Sequence, residues 1–402
     1  MIQRLRSSAG VEYAIIDPNG LPRYWATVWA SFELVNAGEA TLSKNLRDVE
    51  SLYRHSESLS GIGSLDDVLA DFDIERLCGV LESYFLALRN TPPITASTEA
   101  RWQTALRFVF QTVQRLHRAA HDASRRESLR SRLTSLELLN AHLHVGRRRD
   151  EEQIRSLPAV VIAELYEVLD PECPRNPFKR YATHWRVYVM FMLLLHQGLR
   201  RGELLSFPTD VIKSGFDRVL GRERHWMTVQ YNQYEEDDPR FSKPGIKTAS
   251  SIRQIPVSSS MASLVHEYVV NHRGRPSHTY LMSSQKKTPL STEAITKKFQ
   301  EISDSLPRSL KKALTDSTGQ DCVRAHDLRH TAAVLRLNQL LSIGVPMGDA
   351  LQNLRRFFGW APGSEMPLRY ARASFEERLA SVWNDAFDDR VEILRNLPVG
   401  SR

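Results

Sequence analysis

Two histidines and an arginine fall within five residues of the stretch "VRAHDLRHTAAV", which occupies positions 323–334. If this stretch is helical, His326 and Arg329 lie one turn apart on the same face, and His330 follows directly. Side chains of these types can bind a metal ion, transfer a proton or bind a phosphate, and they can also form the polar start of an ordinary helix. The rest of the sequence has to distinguish these alternatives.

Four other short groups of reactive residue types lie in the same half of the chain. In chain order the groups read "GLRRGE" at 198–203, "KTASSIRQIP" at 247–256, "HDLRH" at 326–330, "FFGWAP" at 357–362 and "PLRYAR" at 367–372. Each group alone has an ordinary explanation, such as exposed cations near a helix end. Their types and order together resemble the catalytic domain of the tyrosine recombinase (phage integrase) family over about residues 155–372. The helical N-terminal half resembles, more loosely, the core-binding domain of that family.

The resemblance implies DNA cleavage by a tyrosine hydroxyl and rejoining through a 3′-phosphotyrosine intermediate. Tyr370 matches the nucleophile of the family. Arg200 and Arg329 match the two arginines that stabilise the extra negative charge of the transition state, a task suited to permanently charged guanidinium groups. Because the intermediate keeps the energy of the phosphodiester bond, neither ATP nor a metal ion is needed, and no cofactor is expected.

The same match implies the remaining catalytic roles. His326 assists the attacking tyrosine or the transition state. Trp360 takes a position that is His or Trp in the family, where an indole N–H can donate to a phosphate oxygen. Lys247 protonates the leaving 5′ oxygen, and Lys243, four residues earlier, is the alternative acid.

Two further residues are expected to support the catalytic side chains without reacting themselves. Glu203, one turn after Arg200, is placed to hold that arginine through an ion pair. His330 matches a family position that usually supports the site without taking part in the chemistry.

The segment before the tyrosine departs from the family pattern. Tyr370 follows Trp360 by ten positions, one more than is common, and "APGSEMP" replaces the usual Ser/Thr-rich sequence. Its prolines and glycine predict a loop that has to move to deliver the tyrosine.

A zinc site is the main alternative for the histidines. His326 and His330 have the His-x-x-x-His spacing of two ligands on one helix face, but the glutamate of a metalloprotease motif is missing and no third ligand has a recognisable setting. The sequence therefore predicts no metal site.

The positive charge is concentrated in one block. The chain carries a net charge of +7, and residues 101–150 contain eleven arginines and four acids, so this block alone accounts for 11 − 4 = +7. A solvated helix face and a DNA-binding surface are both compatible with such a block. The family resemblance favours DNA backbone contacts, with these arginines as candidates: Arg125, Arg126, Arg147, Arg148 and Arg149.

The hydrophobic pattern predicts a mainly α-helical chain with a small antiparallel β-sheet in the C-terminal domain (α+β). A short strand over 11–17 should precede a helix opened by Pro22, and Ser97 should cap a later helix. The stretches "RHWMTVQY" and "SSIRQIPVS" predict a hairpin. A change in composition over 142–158 divides the chain into a helical, DNA-clamping domain, 1–148, and a catalytic domain, 149–402.

Composition indicates a folded protein of the reducing cytoplasm. The apolar fraction is 42%, and the three cysteines are far apart. The longest apolar run, residues 187–195, is about half of a membrane span. A cytoplasmic protein, associated with the nucleoid when bound to DNA, is therefore expected, without a membrane partner.

The expected partner is double-stranded DNA. After the tyrosine, Ser374 and Glu377 form a capping-box pattern before an amphipathic helix. That helix could pack on its own domain, or dock on a neighbour and build a homotetramer on two DNA sites; accessory DNA-binding proteins are also conceivable partners.

Three functions remain at this stage. The favoured one is a site-specific recombinase or integrase. The alternatives are a type IB topoisomerase, against which the N-terminal bundle counts, and a catalytically silent DNA-binding regulator of the same fold, against which the complete set of reactive residues counts.

Overall fold

The computed structural model describes the chain except for residues 1, 8–9, 72, 120–126, 128–129, 132–133, 136, 139, 141, 147–155, 220, 247 and 373–402. It divides into two compact units, Met1–Glu151 and Glu152–Arg402. All five arginines predicted to bind DNA, Lys247 and the predicted C-terminal helix lie outside the described residues. The predicted roles of the two domains, DNA clamping for 1–148 and catalysis for 149–402, stay predictions.

The first unit begins with an antiparallel hairpin of β1 (Ile2–Ser7) and β2 (Gly10–Ile15). The helices with described bounds that follow are α1 (Tyr24–Glu33), α2 (Glu39–Ser60), α3 (Ser64–Asp71), α4 (Ile74–Asn90) and α5 (Ala96–Ala119), and the described residues between 127 and 140 are helical as well, apart from the gaps given above. The predicted strand over 11–17 corresponds to β2, whereas β1, which pairs with β2 along its whole length, was missed.

Two predicted helix starts in this unit were wrong. Pro22 does not open α1; it forms a bridge with Ile16 across a turn, and the helix begins at Tyr24. Ser97 lies inside α5 rather than at its cap. The Thr95 hydroxyl instead accepts from the Thr98 backbone N–H at 3.3 Å, because the chain already enters the helix at Ala96.

The helices of the first unit enclose a core of large aromatic side chains, and Trp29, Tyr53, Trp102 and Phe108 are fully buried. Trp29 and Phe108 pack edge to face, with their ring centroids 5.4 Å apart. The amphipathic pattern of the sequence therefore correctly predicts a helical bundle.

The second unit starts with α6 (Ala159–Leu169), α7 (Tyr181–His196) and α8 (Arg201–Ser206). Three antiparallel strands follow in the order β3-β4-β5: β3 (Ile212–Asp217), β4 (Arg222–Val229) and β5 (Arg253–Val257). The predicted hairpin corresponds to β4 and β5, and β3 was missed because "IKSGFD" has little apolar alternation.

The chain then returns to helices: α9 (Ser259–Glu267), one π-helical turn (Tyr268–His272), α10 (Thr292–Ser305), α11 (Arg308–Thr318), α12 (Ala325–Ser342) and α13 (Met347–Phe358). Residues 366–372 are helical as well. The predicted mainly α fold with a small antiparallel sheet in the C-terminal domain is confirmed, and the first unit contains a second sheet that was not predicted.

Helix α7 forms the centre of the second unit. Met190, Phe191 and Leu194 are fully buried, which explains why its sequence is apolar on all sides. Helix α12 packs against α7, and α13 packs against α12. This packing fixes the positions of the start of α12 and the end of α13, where several of the candidate site residues lie. Within the described residues, no helix is long and apolar enough to cross a membrane.

Candidate active site

Glu203 lies at the centre of a cluster of three arginines. Its side chain is fully buried, at 0% exposure, and its Oε1 accepts from Nη1 of Arg200 at 2.7 Å. Arg253 donates Nη1 to Oε1 at 3.1 Å and Nη2 to Oε2 at 3.0 Å. Nη1 of Arg329 is 3.9 Å from Oε2. The ion pair predicted between Arg200 and Glu203 is thus present, within a larger network.

The charges around Glu203 keep it ionised. Burial alone would raise the pKa of this carboxyl, but the hydrogen bonds from Arg253 and the charges of Arg253, Arg329 and Arg200 bring the pKa below its ordinary value. A single carboxylate therefore holds three guanidinium groups in a fixed arrangement.

Arg329 is fixed by two backbone carbonyls in addition. It is 2% exposed; Nη1 donates to the carbonyl of Gly198, and Nη2 donates to that of Phe358 at 2.6 Å. Its guanidinium carbon lies 5.0 Å from the centre of the Phe358 ring. Burial, and then the charge of Arg200, lower the pKa of Arg329 to about 9, so the side chain is still cationic at neutral pH.

Gly198 has to be a glycine for this contact. Its φ of +56° is in the left-handed region, and a Cβ atom there would lie 2.3 Å from Cε1 of Phe358. The turn between α7 and α8 therefore places the Gly198 carbonyl against Arg329 and allows the Phe358 ring to fill the space beside it.

Arg200 is the most exposed of the three arginines, with 21% of its side chain accessible. It precedes α8, and its backbone N–H donates to Oε2 of Glu203 at 2.9 Å, which caps the helix. Its guanidinium group also donates to the Ser251 hydroxyl at 2.9 Å and to the Gly359 carbonyl at 3.3 Å. These contacts join the start of α8 to the end of α13.

Sequence reasoning assigned no role to Arg253. This first residue of β5 has 6% of its side chain exposed, and it donates Nε to the Phe357 carbonyl at 2.7 Å. The sequence feature that could have identified Arg253 is its place at the start of a strand with alternating apolar residues, inside the group "SSIRQIP". Its partner Glu203 is fifty positions away, so only the folded chain identifies the pair.

Tyr370 is buried beside this cluster, at 1% exposure. Its hydroxyl oxygen is 2.6 Å from Nδ1 of His330. The tyrosine ring stacks on Trp360, with centroids 5.2 Å apart and planes at 17°, and Trp360 stacks on Phe358 at 5.0 Å. Burial raises the pKa of Tyr370 well above its ordinary value, although the charge of Arg329 opposes this effect.

Trp360 is positioned by the end of α13. Gly359 ends the helix in the left-handed conformation, with φ at +60°, and the Trp360 backbone N–H donates to the Arg355 carbonyl at 3.1 Å. The indole is 7% exposed and lies between Phe358 and Tyr370. The contact of the Trp360 indole is therefore with the ring of Tyr370.

His326 and His330 differ in their surroundings. His326 is exposed, and its ring meets that of His330 edge on, with centroids 4.4 Å apart. His330 is half-buried and bonded to Tyr370. Burial, followed by the charges of His326 and Arg329, lowers the pKa of His330 to about 4, so its imidazole is neutral at physiological pH.

The segment between β4 and β5 carries both candidate lysines. Nζ of Lys243 donates to the Glu235 carbonyl, and Lys247 lies outside the described residues. Arg240 anchors this segment: it is paired with the buried Asp238 at 2.7 Å and donates to the carbonyls of Leu205 and Leu290.

No group of three or more histidine, cysteine, aspartate or glutamate side chains in the described part of the chain could hold a metal ion. Nδ1 of His330 is engaged by the tyrosine hydroxyl. The arrangement as a whole provides buried cations, a tyrosine hydroxyl and a neutral imidazole, which is the equipment for nucleophilic attack on a phosphodiester.

Comparisons with known proteins agree with this chemistry. A sequence model of the phage integrase family matches residues 163–377, which is more than half of the chain and includes every site residue from Arg200 to Tyr370. The comparison with curated proteins found no match.

Among solved structures, the XerH site-specific recombinase bound to palindromic difH substrate, in a post-cleavage complex, superposes with a TM-score of 0.50 at 14% identity. The alignment covers 87% of this chain and 81% of that one, and it supports the same fold. The Tn1549 transposon integrase (residues 82–397) in complex with circular intermediate DNA gives a TM-score of 0.41 at 16% identity, over 74% of this chain and 98% of that one. The XerA recombinase gives 0.35 at 14% identity, over 89% and 98%.

Proposed function

This chain belongs to the phage integrase family of tyrosine recombinases, and we propose that Tyr370 is the nucleophile with which it cuts and rejoins double-stranded DNA. The observation that carries the assignment is the hydrogen bond of 2.6 Å between the tyrosine hydroxyl and His330, next to the arginines held by Glu203. The enzyme is a site-specific recombinase that breaks and rejoins DNA strands.

Arg200 and Arg329 are proposed to stabilise the transition state. When the tyrosine attacks, negative charge grows on the non-bridging phosphate oxygens, and guanidinium groups fixed in advance stabilise that charge without reorganising. Glu203 and the carbonyls of Gly198 and Phe358 supply this fixation. Arg253 contributes to the same fixation, because it forms a second ion pair with the carboxylate of Glu203.

The leaving 5′ oxygen needs a proton, which we assign to Lys247, with Lys243 as the alternative. Both belong to the segment anchored by Arg240. His326 is proposed to bind the scissile phosphate, because it is exposed and one turn before the buried Arg329. Trp360 is proposed to donate its indole N–H to a phosphate oxygen once the tyrosine has moved.

The described arrangement is a resting state. Tyr370 is 1% exposed, and Trp360 covers its ring. DNA cannot reach the hydroxyl until the segment from Gly359 to Tyr370 shifts, which agrees with the mobile loop expected from "APGSEMP".

Double-stranded DNA is the proposed partner, in a homotetramer on two sites, with accessory DNA-binding proteins where the reaction requires them. The arginine-rich block, which carries the whole net charge, and the amphipathic pattern after Ser374 support these proposals. We propose a cytoplasmic location, and association with the nucleoid through DNA.

Covalent trapping tests the nucleophile. Nicked duplexes tiled across the DNA that flanks the gene are incubated with the protein, and a protein–DNA band that survives detergent is expected for the wild type but not for Tyr370→Phe. Tyr268→Phe, which changes another fully buried tyrosine of the same unit, is the matched control and should keep the band.

The other outcomes are equally informative. A band that persists in Tyr370→Phe would place the nucleophile elsewhere. Tight binding without any band would favour the silent regulator, and relaxation of any supercoiled plasmid without site preference would favour the topoisomerase.

A further inference from the structure

The tyrosine hydroxyl contacts a histidine that sequence reasoning treated as support. Nδ1 of His330 is 2.6 Å from Oη of Tyr370, which is hydrogen-bond distance, and the imidazole tautomer with its proton on Nε2 accepts from the tyrosine hydroxyl. The two residues are forty positions apart, and their rings are 5.9 Å apart between centroids.

We propose that His330 is a catalytic residue: it takes the proton of Tyr370 as the tyrosine attacks the phosphate, and it returns that proton when the strand is rejoined. This inference rests on the proposed role of Tyr370 as the nucleophile. The family resemblance implies that His326 assists the attacking tyrosine or the transition state. Assistance to the tyrosine comes from His330 instead.

The position of His330 on α12 fits this role. It directly follows Arg329, so one helical turn carries both a cation for the phosphate and an acceptor for the proton of the nucleophile. In the resting state the indole of Trp360 stacks on the tyrosine ring, with the tyrosine hydroxyl beside the imidazole of His330. The ring of His326 meets that of His330 edge on.

The charge state of His330 also fits. A pKa of about 4 means that the imidazole is neutral at physiological pH and has a lone pair that can accept a proton. The buried phenol does not ionise by itself, because burial raises its pKa. Proton transfer is therefore coupled to formation of the phosphorus–oxygen bond, as in general base catalysis.

The cleavage step balances as follows. The O–H bond of Tyr370 breaks and the proton moves to Nδ1 of His330, while the phenolic oxygen forms a bond to phosphorus. The bond between phosphorus and the 5′ oxygen breaks, and that oxygen receives a proton from the lysine acid. Rejoining runs in reverse: a 5′ hydroxyl forms the bond to phosphorus and gives its proton to the lysine that had lost one, while the bond between phosphorus and the tyrosine oxygen breaks and that oxygen recovers its proton from His330.

A substrate that bypasses the tyrosine tests the proposal. A DNA strand ending in a 3′ p-nitrophenyl phosphate mimics the covalent intermediate, and nitrophenolate leaves without a proton. Tyr370→Ala makes room for the nitrophenyl ring, and a strand with a 5′ hydroxyl then attacks the phosphate. Nitrophenolate release and the ligated strand are measured for Tyr370→Ala and for Tyr370→Ala combined with His330→Gln.

We expect the two variants to react with the p-nitrophenyl substrate at rates within about 2-fold of each other, since no proton passes through His330 in this reaction. With Tyr370 present, His330→Gln should slow covalent trapping on nicked DNA by about 100-fold to 10,000-fold. Glutamine keeps a hydrogen-bonding group but cannot take the proton, so it separates proton transfer from positioning. Arg329→Lys, combined with Tyr370→Ala, is the control and should slow the p-nitrophenyl reaction.

Three results would overturn the role of His330. An equal loss in both reactions would show that this histidine supports the phosphate site, and unchanged trapping by His330→Gln would show that the proton goes elsewhere. Added imidazole should partly restore trapping by His330→Gly, and a lack of restoration would also count against the proposal. A covalent band in Tyr370→Phe would contradict the nucleophile itself, and that failure is separate from these.

Discussion

At the scale of single residues, Glu203 is the most consequential side chain that does no chemistry. It is completely buried and contacts Arg200 and Arg253 at hydrogen-bond distance, with Arg329 close by. Removing one partner of a buried ionic network leaves the other charges uncompensated. Without the carboxylate of Glu203, the three arginines repel one another. They also lose their fixed orientation.

We therefore predict that Glu203→Gln lowers the free energy of unfolding by about 3–5 kcal/mol. The measurement is urea denaturation at pH 7, with the exposed Glu365→Gln as the control, which should change stability by less than about 0.5 kcal/mol. Coincident unfolding curves for wild type and Glu203→Gln would contradict the prediction.

The same comparison has a defined pH dependence. The pKa of Glu203 in the folded protein lies below its ordinary value of 4.5, so its ionised form is stabilised by folding. The advantage of wild type over Glu203→Gln is therefore complete above pH 4.5 and shrinks as the pH falls below that value.

At the scale of elements, the site depends on how the turn before α8 meets the end of α13. The carbonyl of Gly198 accepts a hydrogen bond from Arg329. The ring of Phe358 occupies the space that a Cβ atom at position 198 would need. Helix packing thus determines the orientation of Arg329, for which we propose a contact with the scissile phosphate.

Gly198→Ala should disturb both stability and chemistry. Its Cβ would lie 2.3 Å from the Phe358 ring, and overpacking of this kind costs about 1–3 kcal/mol. We expect a lower melting temperature and weaker covalent trapping, because the contact to Arg329 is displaced.

Gly344→Ala is the matched control for Gly198→Ala. Gly344 also has a positive φ, +83°, but an added Cβ atom would meet no other atom within 4 Å there. This substitution therefore introduces the backbone strain without the clash. Equal effects of the two changes on trapping would show that the Phe358 contact is unimportant.

Both candidates for the acid that protonates the leaving oxygen, Lys247 and Lys243, belong to the segment between β4 and β5. A 5′-bridging phosphorothiolate replaces that oxygen with sulfur, which leaves without needing a proton. We predict that Lys247→Ala blocks trapping on ordinary nicked DNA and that the phosphorothiolate substrate restores it, whereas Lys243→Ala traps normally on both. The reverse pattern would identify Lys243 as the acid.

At the scale of the whole molecule, the uneven distribution of charge predicts how DNA affinity depends on salt. Residues 101–150 carry 11 − 4 = +7, equal to the net charge of the chain. Contacts between arginines and phosphates release counterions, so each one steepens the fall in affinity with salt. Such contacts do not select a sequence.

Replacing Arg147, Arg148 and Arg149 together by glutamine should weaken binding to all duplexes alike and reduce the salt slope by roughly 3. Binding is titrated over a series of salt concentrations with the recombination site and with an unrelated duplex. Replacement of the three arginines by lysine keeps the charge and should keep the slope. A loss confined to the recombination site would contradict this prediction.

The sequence by itself determined the reaction class and the order of the chemical groups. Arg200, Arg329 and Tyr370 are recognisable because each occurs in a short local pattern that matches the family, and their residue types suit the roles proposed for them. Most helices were also predictable, because amphipathic periodicity is a local property.

Only the tertiary structure decided the partners within the site. It placed Arg253 on Glu203, fifty positions away, and the hydroxyl of Tyr370 on His330. It also paired β1 with β2 and added β3 to the sheet. These contacts depend on helix packing, strand pairing and side-chain rotamers over long sequence separations, and local spacing does not encode which of two neighbouring histidines turns toward the tyrosine.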